Sequence, residues 1–394
     1  IKRYKDKKDL QQGDKVIALS LDVDSDAVAS ILSEKAAQLN QEAVDNGLVR
    51  ENGAFKIIKG EQGIEVNVED SIAAIENYIS SEWDGGNAEI ELVAEVVEPR
   101  GSEEDLEQIT DMMGSYTTNY KDSGQNRCDN ISNATSKING TLLYPGEEFS
   151  VYEAIGPLDA ANGYELAGAY ENGQTVESYG GGVCQVSTTL YNAVILAELE
   201  ITQRSNHSMI VSYVKPSMDA AIAGDYKDLR FVNNQDIPIY IEGYTEGKNV
   251  TFKIYGHDTR PSNRVVTYES EVVSEQDPGT QYVATGDPAG YMKTAQGKHI
   301  GYVARLWKVV TVDGVEESRE IFNKSTYKAS PKIVNVGTAS ADPNVSAVIG
   351  AALATGDEAT INAAVAPYAA SAAAILNPAP VEQPSQEEQA ITGT

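Results

Sequence analysis

Across 394 residues, 59 Asp and Glu against 30 Lys and Arg leave a net charge of −29, which repels phosphate backbones and anionic lipid and excludes nucleic-acid and general membrane-surface binding. A hydrophobic share of 41 % supports cores for two or three domains, and two cysteines exclude a disulfide-built scaffold. No apolar run of about 18 residues predicts a membrane span, no signal peptide is visible, and the opening stretch IKRYKDKK is the one basic exception to the acidic balance.

Residues 20–48 carry helical spacing behind possible caps at Asp24, Ser25 and Asp26. FKIIK and IEVNV follow as short strands about a glycine turn. Glu69 and Asp70 open a second helix, and AEIELVAEVVEP alternates as a strand. Pro99 and Gly101 close this α+β unit. Residues 104–140 read as largely helical, with a turn at Pro145 and Gly146. SMIVSYV, DLRFVNN, IPIYIEGYT and NVTFKIYG read as strands, with turns at Asn233, Asn234 and Gly247. Residues 263–338 read as an all-β module with a hairpin at Asp313 and Gly314. Residues 339–394 lack Lys and Arg; one helix is expected around GDEATINAAVAPYAASAAAIL, and the rest reads as a disordered tail. The fold class is therefore α+β multidomain, with domains at 1–115, 116–260 and 261–338 and a tail at 339–394.

YGGGVCQVSTTLYNAV, residues 179–194, concentrates the chemistry. Gly180, Gly181 and Gly182 allow backbone conformations that other residues resist. Val186, Leu190, Val194 and Ala197 share one helical face, which puts Cys184 at the N-terminus of a buried helix. Free N–H groups and the helix dipole there favour a thiolate, lowering a thiol pKa from about 8.5 toward roughly 3.5–7.5. The same N–H groups, around Gly181, Gly182 and Cys184, can hold an oxyanion.

A nucleophilic thiol needs a base, and the chain has three histidines. His207, in RSNHSMIVSYV, begins the expected strand after the cysteine helix, the Cys-then-His order of papain-like folds. Asp219 and Asp228 both follow in the order suited to orienting the imidazole, with Asp219 preferred. His257 and His299 read as surface or structural residues. The alternative is that Cys184 is buried packing and His207 caps a strand. Cys128, beside an expected helix, reads as a small buried hydrophobe. The scattered Cys and His lack metal-ligand spacing, so no metal and no cofactor is expected.

LLYPGEEFSVYEAIGP, GGGVCQVSTTLYNAV, RSNHSMIVSYV and DLRFVNN, in that order, resemble the VanW family of cell-envelope proteins over about residues 116–258. KPSMDAA departs from the family pattern, which carries a glycine near Ser217. Residues 263–338 resemble a G5 domain through GKHIGY, VDGVE and IVNVGT. GAFKIIKGEQGIEVNVEDSIAAI resembles the peptidoglycan-binding domain that often precedes VanW domains.

The resemblance implies an exported wall-associated protein of a Gram-positive-type bacterium, with an N-terminal membrane anchor preceding this sequence. It also implies an L,D-transpeptidase in which Cys184 is the nucleophile and His207 its base. The partners are then peptidoglycan stem peptides and glycan. Arg204 is a candidate for binding a stem carboxylate or for structural pairing, and Tyr179 and Gln185 flank the thiol in the groove. Water in place of an acceptor amine makes the same site a carboxypeptidase. A cysteine amidase or endopeptidase acting on stem peptides, and a non-catalytic wall-binding or adhesion protein, are the other readings.

Overall fold

The computed structural model describes residues 23–171, 174–224 and 226–376. The basic stretch at 1–8, the first residues of the expected 20–48 helix and the tail end at 377–394 lie outside the described residues. The chain forms two compact units, 1–108 and 109–394.

In the first unit, helix α1 (Ser25–Leu39) starts where the Asp24 carboxylate accepts the Ala27 N–H at 3.1 Å. It ends at Leu39, short of the expected residue 48. Gln41 and Val44 bridge to Ile64 and Glu61, and the Asn40 side chain accepts from Val66 N, so pairing with a neighbouring strand overrides helical spacing. Strands β1 (Gly47–Glu51) and β2 (Ala54–Ile58) form a hairpin turned by Asn52 and Gly53, both with positive φ. Strand β3 (Gly63–Val66) pairs antiparallel with β4 (Ala94–Val97), a shorter strand than the alternating segment predicts. Helix α2 (Val68–Ser81) lies between them in sequence, capped by Asn67.

Helix α3 (Glu103–Glu107) closes the first unit, and the second opens with a strand the sequence reading missed. Residues 111–119, expected to be helical, form β5 (Asp111–Asn119), an edge of the antiparallel sheet β5–β13–β12–β6. The others are β6 (Thr141–Leu143), β12 (Ile239–Glu246) and β13 (Asn249–Gly256). Helices α4 (Gln125–Ile138) and α6 (Val183–Leu196) cover this sheet. Ile131, Ala134, Ile138, Val186, Leu190 and Val194 pack with Ile241, Phe252 and Ile254 in one buried cluster. A side chain at Gly114 of β5 would meet Ala193 O at 2.2 Å, so glycine is what lets α6 lie directly on the strand.

A smaller sheet, β10–β11–β7, joins β7 (Glu148–Ser150), β10 (Glu200–Gln203) and β11 (Arg230–Val232), with helix α5 (Val151–Ile155) leaving β7. The ribbon β8 (Leu166–Glu171) and β9 (Gln174–Tyr179) delivers the chain to the glycine triplet.

The all-β module is present as expected. One sheet holds β14 (Arg264–Gln276), β17 (Gly301–Val312) and β18 (Val315–Tyr327), the last two joined through Asp313 and Gly314 at φ 53° and 78°. The other holds β15 (Thr280–Pro288), β16 (Met292–Gln296) and β19 (Lys332–Ala339). The module is docked at the C-terminal end of α6: Arg264 and Lys308 bind the Glu198 carboxylate, Tyr268 donates to Ile195 O at 2.9 Å, and Leu306 joins the central core.

The helix expected around 356–376 is present, in two pieces, and a further helix at Pro343–Thr355 corrects the disordered tail over that span. Helix α7 (Pro343–Thr355) and helix α8 (Glu358–Val365) place Ile349, Ala352, Ile361 and Val365 against Val334 and Val336 of β19. The helical run Glu358–Leu376, which ends in α9 (Ala369–Leu376), is long and apolar enough to cross a membrane by length and composition alone, an exception to the expectation that no segment is.

Candidate active site

Cys184 lies in the first turn of α6, half-buried, at the wall of a solvent-open cavity of about 1540 Å³. Gly182, the N-cap, sits at φ 117°, and a side chain there would press Ile131 at 3.0 Å and Arg127 at 3.1 Å. At Gly181 it would meet Ala167 O at 2.6 Å. The Val183 and Gln185 N–H groups are taken by the Gly180 and Gly182 carbonyls and that of Gly181, expected to help hold an oxyanion, by Ser178 O at 3.3 Å, whereas those of Gly182 and Cys184 have no protein acceptor among the described residues.

The polar face of α6 explains how the site is assembled. Cys184, Thr188 and Asn192, four residues apart, meet the main chain of Ile222, Ala220 and Met218, two residues apart. Cys184 Sγ lies 3.4 Å from Ile222 O and 3.5 Å from Ile222 N. Thr188 Oγ1 accepts from Ala220 N at 3.0 Å, and Asn192 donates to Met218 O at 2.8 Å. The match is metric: four helical residues rise about 6 Å and two extended residues span about 6.6 Å. The extended segment 217–222 therefore runs antiparallel down the helix with alternate residues turned to it. The intervening residues turn the other way, where Arg204 Nε donates to Asp219 O at 2.7 Å and Ala221 N to Ser205 O at 2.8 Å.

That alternation sets Asp219 against His207. The Asp219 Oδ2 atom accepts both His207 N at 2.7 Å and His207 Nδ1 at 2.6 Å. Its Oδ1 accepts from Arg204 Nη2 at 3.1 Å and from the Tyr327 hydroxyl of β18. His207 and Asp219 side chains are only 7 % and 1 % exposed. With Nδ1 held, Nε2 is left for the thiol, and the Tyr213 hydroxyl lies 3.4 Å from it.

The charges are mutually dependent. Burial acts to push the Cys184 thiol up, but its hydrogen bond to His207 and the imidazolium charge outweigh this and hold it below the ordinary thiol range. Burial acts to push the His207 imidazole down, but the bonds to Asp219 and Cys184 carry it up to about 9. Burial opposes ionisation of Asp219 too, yet His207 and Arg204 keep it below the usual carboxylate range. These directions favour a thiolate–imidazolium pair over a buried carboxylate.

Of the residues singled out from sequence, Cys184, His207 and Asp219 come together. Asp228 does not: it accepts from Ser150 Oγ and Tyr152 N at the small sheet. His207 follows β10 in coil, not on a strand, and SMIVSYV forms no strand; on either side of His207, Ser205 O accepts from Ala221 N and Ser208 O from Lys328 N of the β module instead. Arg204 is buried with its guanidinium on Asp219, Ser217 O and Ser325, so structural pairing is its role. Tyr179 is exposed at the cavity rim. Gln185 borders the cavity, but its amide turns inward to Thr118 and Asn119 at 3.0 Å. His257 is exposed and His299 bridges Ser330, both remote from the thiol. Cys128 and Cys184 are both free thiols, and Cys128 packs against the core as expected.

Sequence reasoning missed Tyr213, Tyr327 and Arg127. Arg127 lines the cavity against Gly182, its Nη1 and Nη2 held by Ser123 Oγ at 2.7 Å and Gln185 Oε1 at 2.8 Å, with no carboxylate beside it among the described residues. Ser217, in the stretch where the sequence reading expected a glycine nearby, sits at φ 66° with its buried hydroxyl unpaired.

Comparison with known proteins agrees with this layout. Residues 126–255 match the VanW-like protein family, residues 1–84 a peptidoglycan binding domain family, and residues 267–339 the G5 domain. The chain is similar to the uncharacterized protein YoaR of Bacillus subtilis, 30 % identical over 237 residues, which cover 60 % of this chain and 76 % of YoaR. It is also similar to the vancomycin B-type resistance protein VanW of Enterococcus faecalis, 30 % identical over 118 residues, 28 % of this chain and 42 % of that protein's length. The solved IgA1 protease G5 domain is 26 % identical over 20 % of this chain and 94 % of its own, with a TM-score of 0.15. From the match to YoaR and the order of its domains, the chain belongs to the VanW family, as a cell-wall-associated member carrying a G5 domain.

Proposed function

We propose that this protein is a cysteine L,D-transpeptidase that forms 3-3 crosslinks between tetrapeptide stems of peptidoglycan, at the outer face of the cell envelope and held there by an N-terminal anchor. The observation that carries the reading is the buried His207–Asp219 pair beside Cys184 at a helix N-terminus, on a cavity larger than the roughly 300–1,000 Å³ that encloses one drug-sized ligand. A space of that size suits two stems meeting at one thiol.

In this reading the Cys184 thiolate attacks the carbonyl of the bond between the L-centre and the terminal D-Ala. The Gly182 and Cys184 N–H groups receive the oxyanion. His207 Nε2, protonated in the resting pair, gives its proton to the leaving amine, and D-Ala departs with its carboxylate. The neutral imidazole then takes a proton from the acceptor amine of a second stem. That amine attacks the thioester, forms the new amide and returns the thiolate. Arg127 takes the part of carboxylate binder that Arg204, spent on Asp219, does not have, since its fork beside Gly182 suits the carboxylate of the departing residue.

The test is incubation of the protein and its Cys184→Ala variant with tetrapeptide muropeptides, read by mass spectrometry. Dimers that have lost D-Ala, formed only with the thiol present, are expected. D-Ala release without dimers would make the protein a carboxypeptidase, and cleavage elsewhere in the stem an amidase or endopeptidase. Unchanged muropeptides, with the protein still bound to isolated wall, would favour a non-catalytic wall-binding protein.

A further inference from the structure

The G5 domain enters the site through its own strand. Over residues 323–328, the end of β18 and the residue after it, the chain runs beside both segments that carry the relay. Asn206 donates to Thr326 O at 2.9 Å and Lys328 N to Ser208 O at 2.7 Å, bracketing His207. Ser325 Oγ accepts from Arg204 at 2.9 Å, and Asn323 donates to Ser217 O at 3.2 Å, bracketing Asp219. Between them, Tyr327 accepts from Ser217 N at 2.7 Å and donates to Asp219 Oδ1. Tyr327 is 2 % exposed and has nothing to offer solvent or wall.

From this we infer that the G5 domain is a working part of the active site rather than an attached binder: Tyr327 is a positioning residue that fixes the Asp219 carboxylate, and through it His207, in the orientation that sustains the Cys184 thiolate. Without Tyr327, Oδ1 keeps only the longer bond to Arg204, while the Ser217 N–H loses its acceptor one turn from Asp219. A carboxylate free to rotate no longer holds both His207 N and Nδ1 on one oxygen. Ser325 acts one step further back, through Arg204.

The inference needs a nucleophilic Cys184 but no particular acyl donor, so its test uses iodoacetamide and no muropeptide. The rate of Cys184 alkylation is followed by peptide mass spectrometry at pH 6 to 9 in the full chain, with Cys128 in the same digest as an internal reference for unfolding. Tyr327→Phe keeps the ring and removes only the hydroxyl. It is expected to slow Cys184 alkylation near pH 7 by about tenfold, the usual scale for one charge-assisted hydrogen bond, with Cys128 unchanged. Ser325→Ala should act in the same direction and more weakly. In an Asp219→Asn background, Tyr327→Phe should add no further loss, because the hydroxyl acts through the carboxylate. An unchanged Cys184 profile in Tyr327→Phe, or losses that multiply in the double variant, would overturn the inference. If Cys128 accelerates in Tyr327→Phe, the hydroxyl is a folding element and the inference likewise falls. Failure of crosslinking with muropeptides, by contrast, would leave these rates as they are.

Discussion

His207 is fastened to Asp219 twice over, by its backbone N–H at 2.7 Å and its ring Nδ1 at 2.6 Å, both on the same carboxylate oxygen. The main-chain bond fixes where the residue is; the ring bond fixes which nitrogen faces the thiol. Asp219→Asn keeps the shape but presents an amide to Nδ1 and loses the charge that stabilises the imidazolium. Turnover is expected to fall by roughly three orders of magnitude with the fold intact. The check is steady-state muropeptide kinetics beside circular dichroism of the variant.

The pH dependence follows from the directions of the two shifts. The Cys184 thiol is lowered, so the thiolate persists below the ordinary thiol range, and activity is lost on the acid side as the sulfur is protonated. His207 is raised to about 9, so the proton needed by the leaving amine is lost as pH climbs through that value. The profile should be bell-shaped with its alkaline limb near pH 9, and the two limbs belong to the pair. In His207→Ala the alkylation midpoint of Cys184 should move up, because burial then acts on the thiol without its counter-charge. A midpoint that stays put would refute the ion pair.

Arg127 is expected to read the free carboxylate of the donor. Arg127→Lys keeps a positive charge but not the fork, and should raise KM about tenfold for donors ending in a carboxylate. Donors capped as the amide should bind both forms alike. Equal effects on both donors would assign Arg127 to holding Gln185 and the helix start.

Ser217 carries strain that a single change should relieve. Its φ of 66° is a region where a side chain costs free energy, and its buried hydroxyl has no partner. Ser217→Gly is expected to stabilise the protein by about 1 kcal/mol, since the relief outweighs glycine's extra unfolded-state entropy. Thermal denaturation decides it; a lower Tm would show that the hydroxyl serves a purpose here.

The cysteine, its helix and its glycines were legible because each is encoded locally, in residues 180–197. Chain order pointed to His207 but left Asp219 and Asp228 both open, and it is the alternation of residues 218–222 along α6 that sets Asp219 on the imidazole. What sequence did not show is set by pairing at long range. Residues 111–119 become a strand because β13 lies beside them and Gly114 admits α6 against them. The segment around His207 stays irregular because Ser205 and Ser208 on either side of it pair with residues 221 and 328. Arg127 and Arg204 carry the same side chain, and only the packing of Asp219 decides which one faces the cavity. Tyr327 lies 108 residues from the carboxylate it holds, in another domain, where no local pattern points back.

The clasp between α6 and residues 217–222 also gives the site a grammar. Cys-x-x-x-Thr-x-x-x-Asn writes one edge of the helix, and every second residue from Met218 to Ile222 reads it. Insertion or deletion of a single residue on either side shifts the two periods out of phase and turns Asp219 toward the helix, away from His207. Relatives that keep the cysteine but break this spacing would carry a thiol with no His–Asp pair behind it, a difference that can be read from sequence alone.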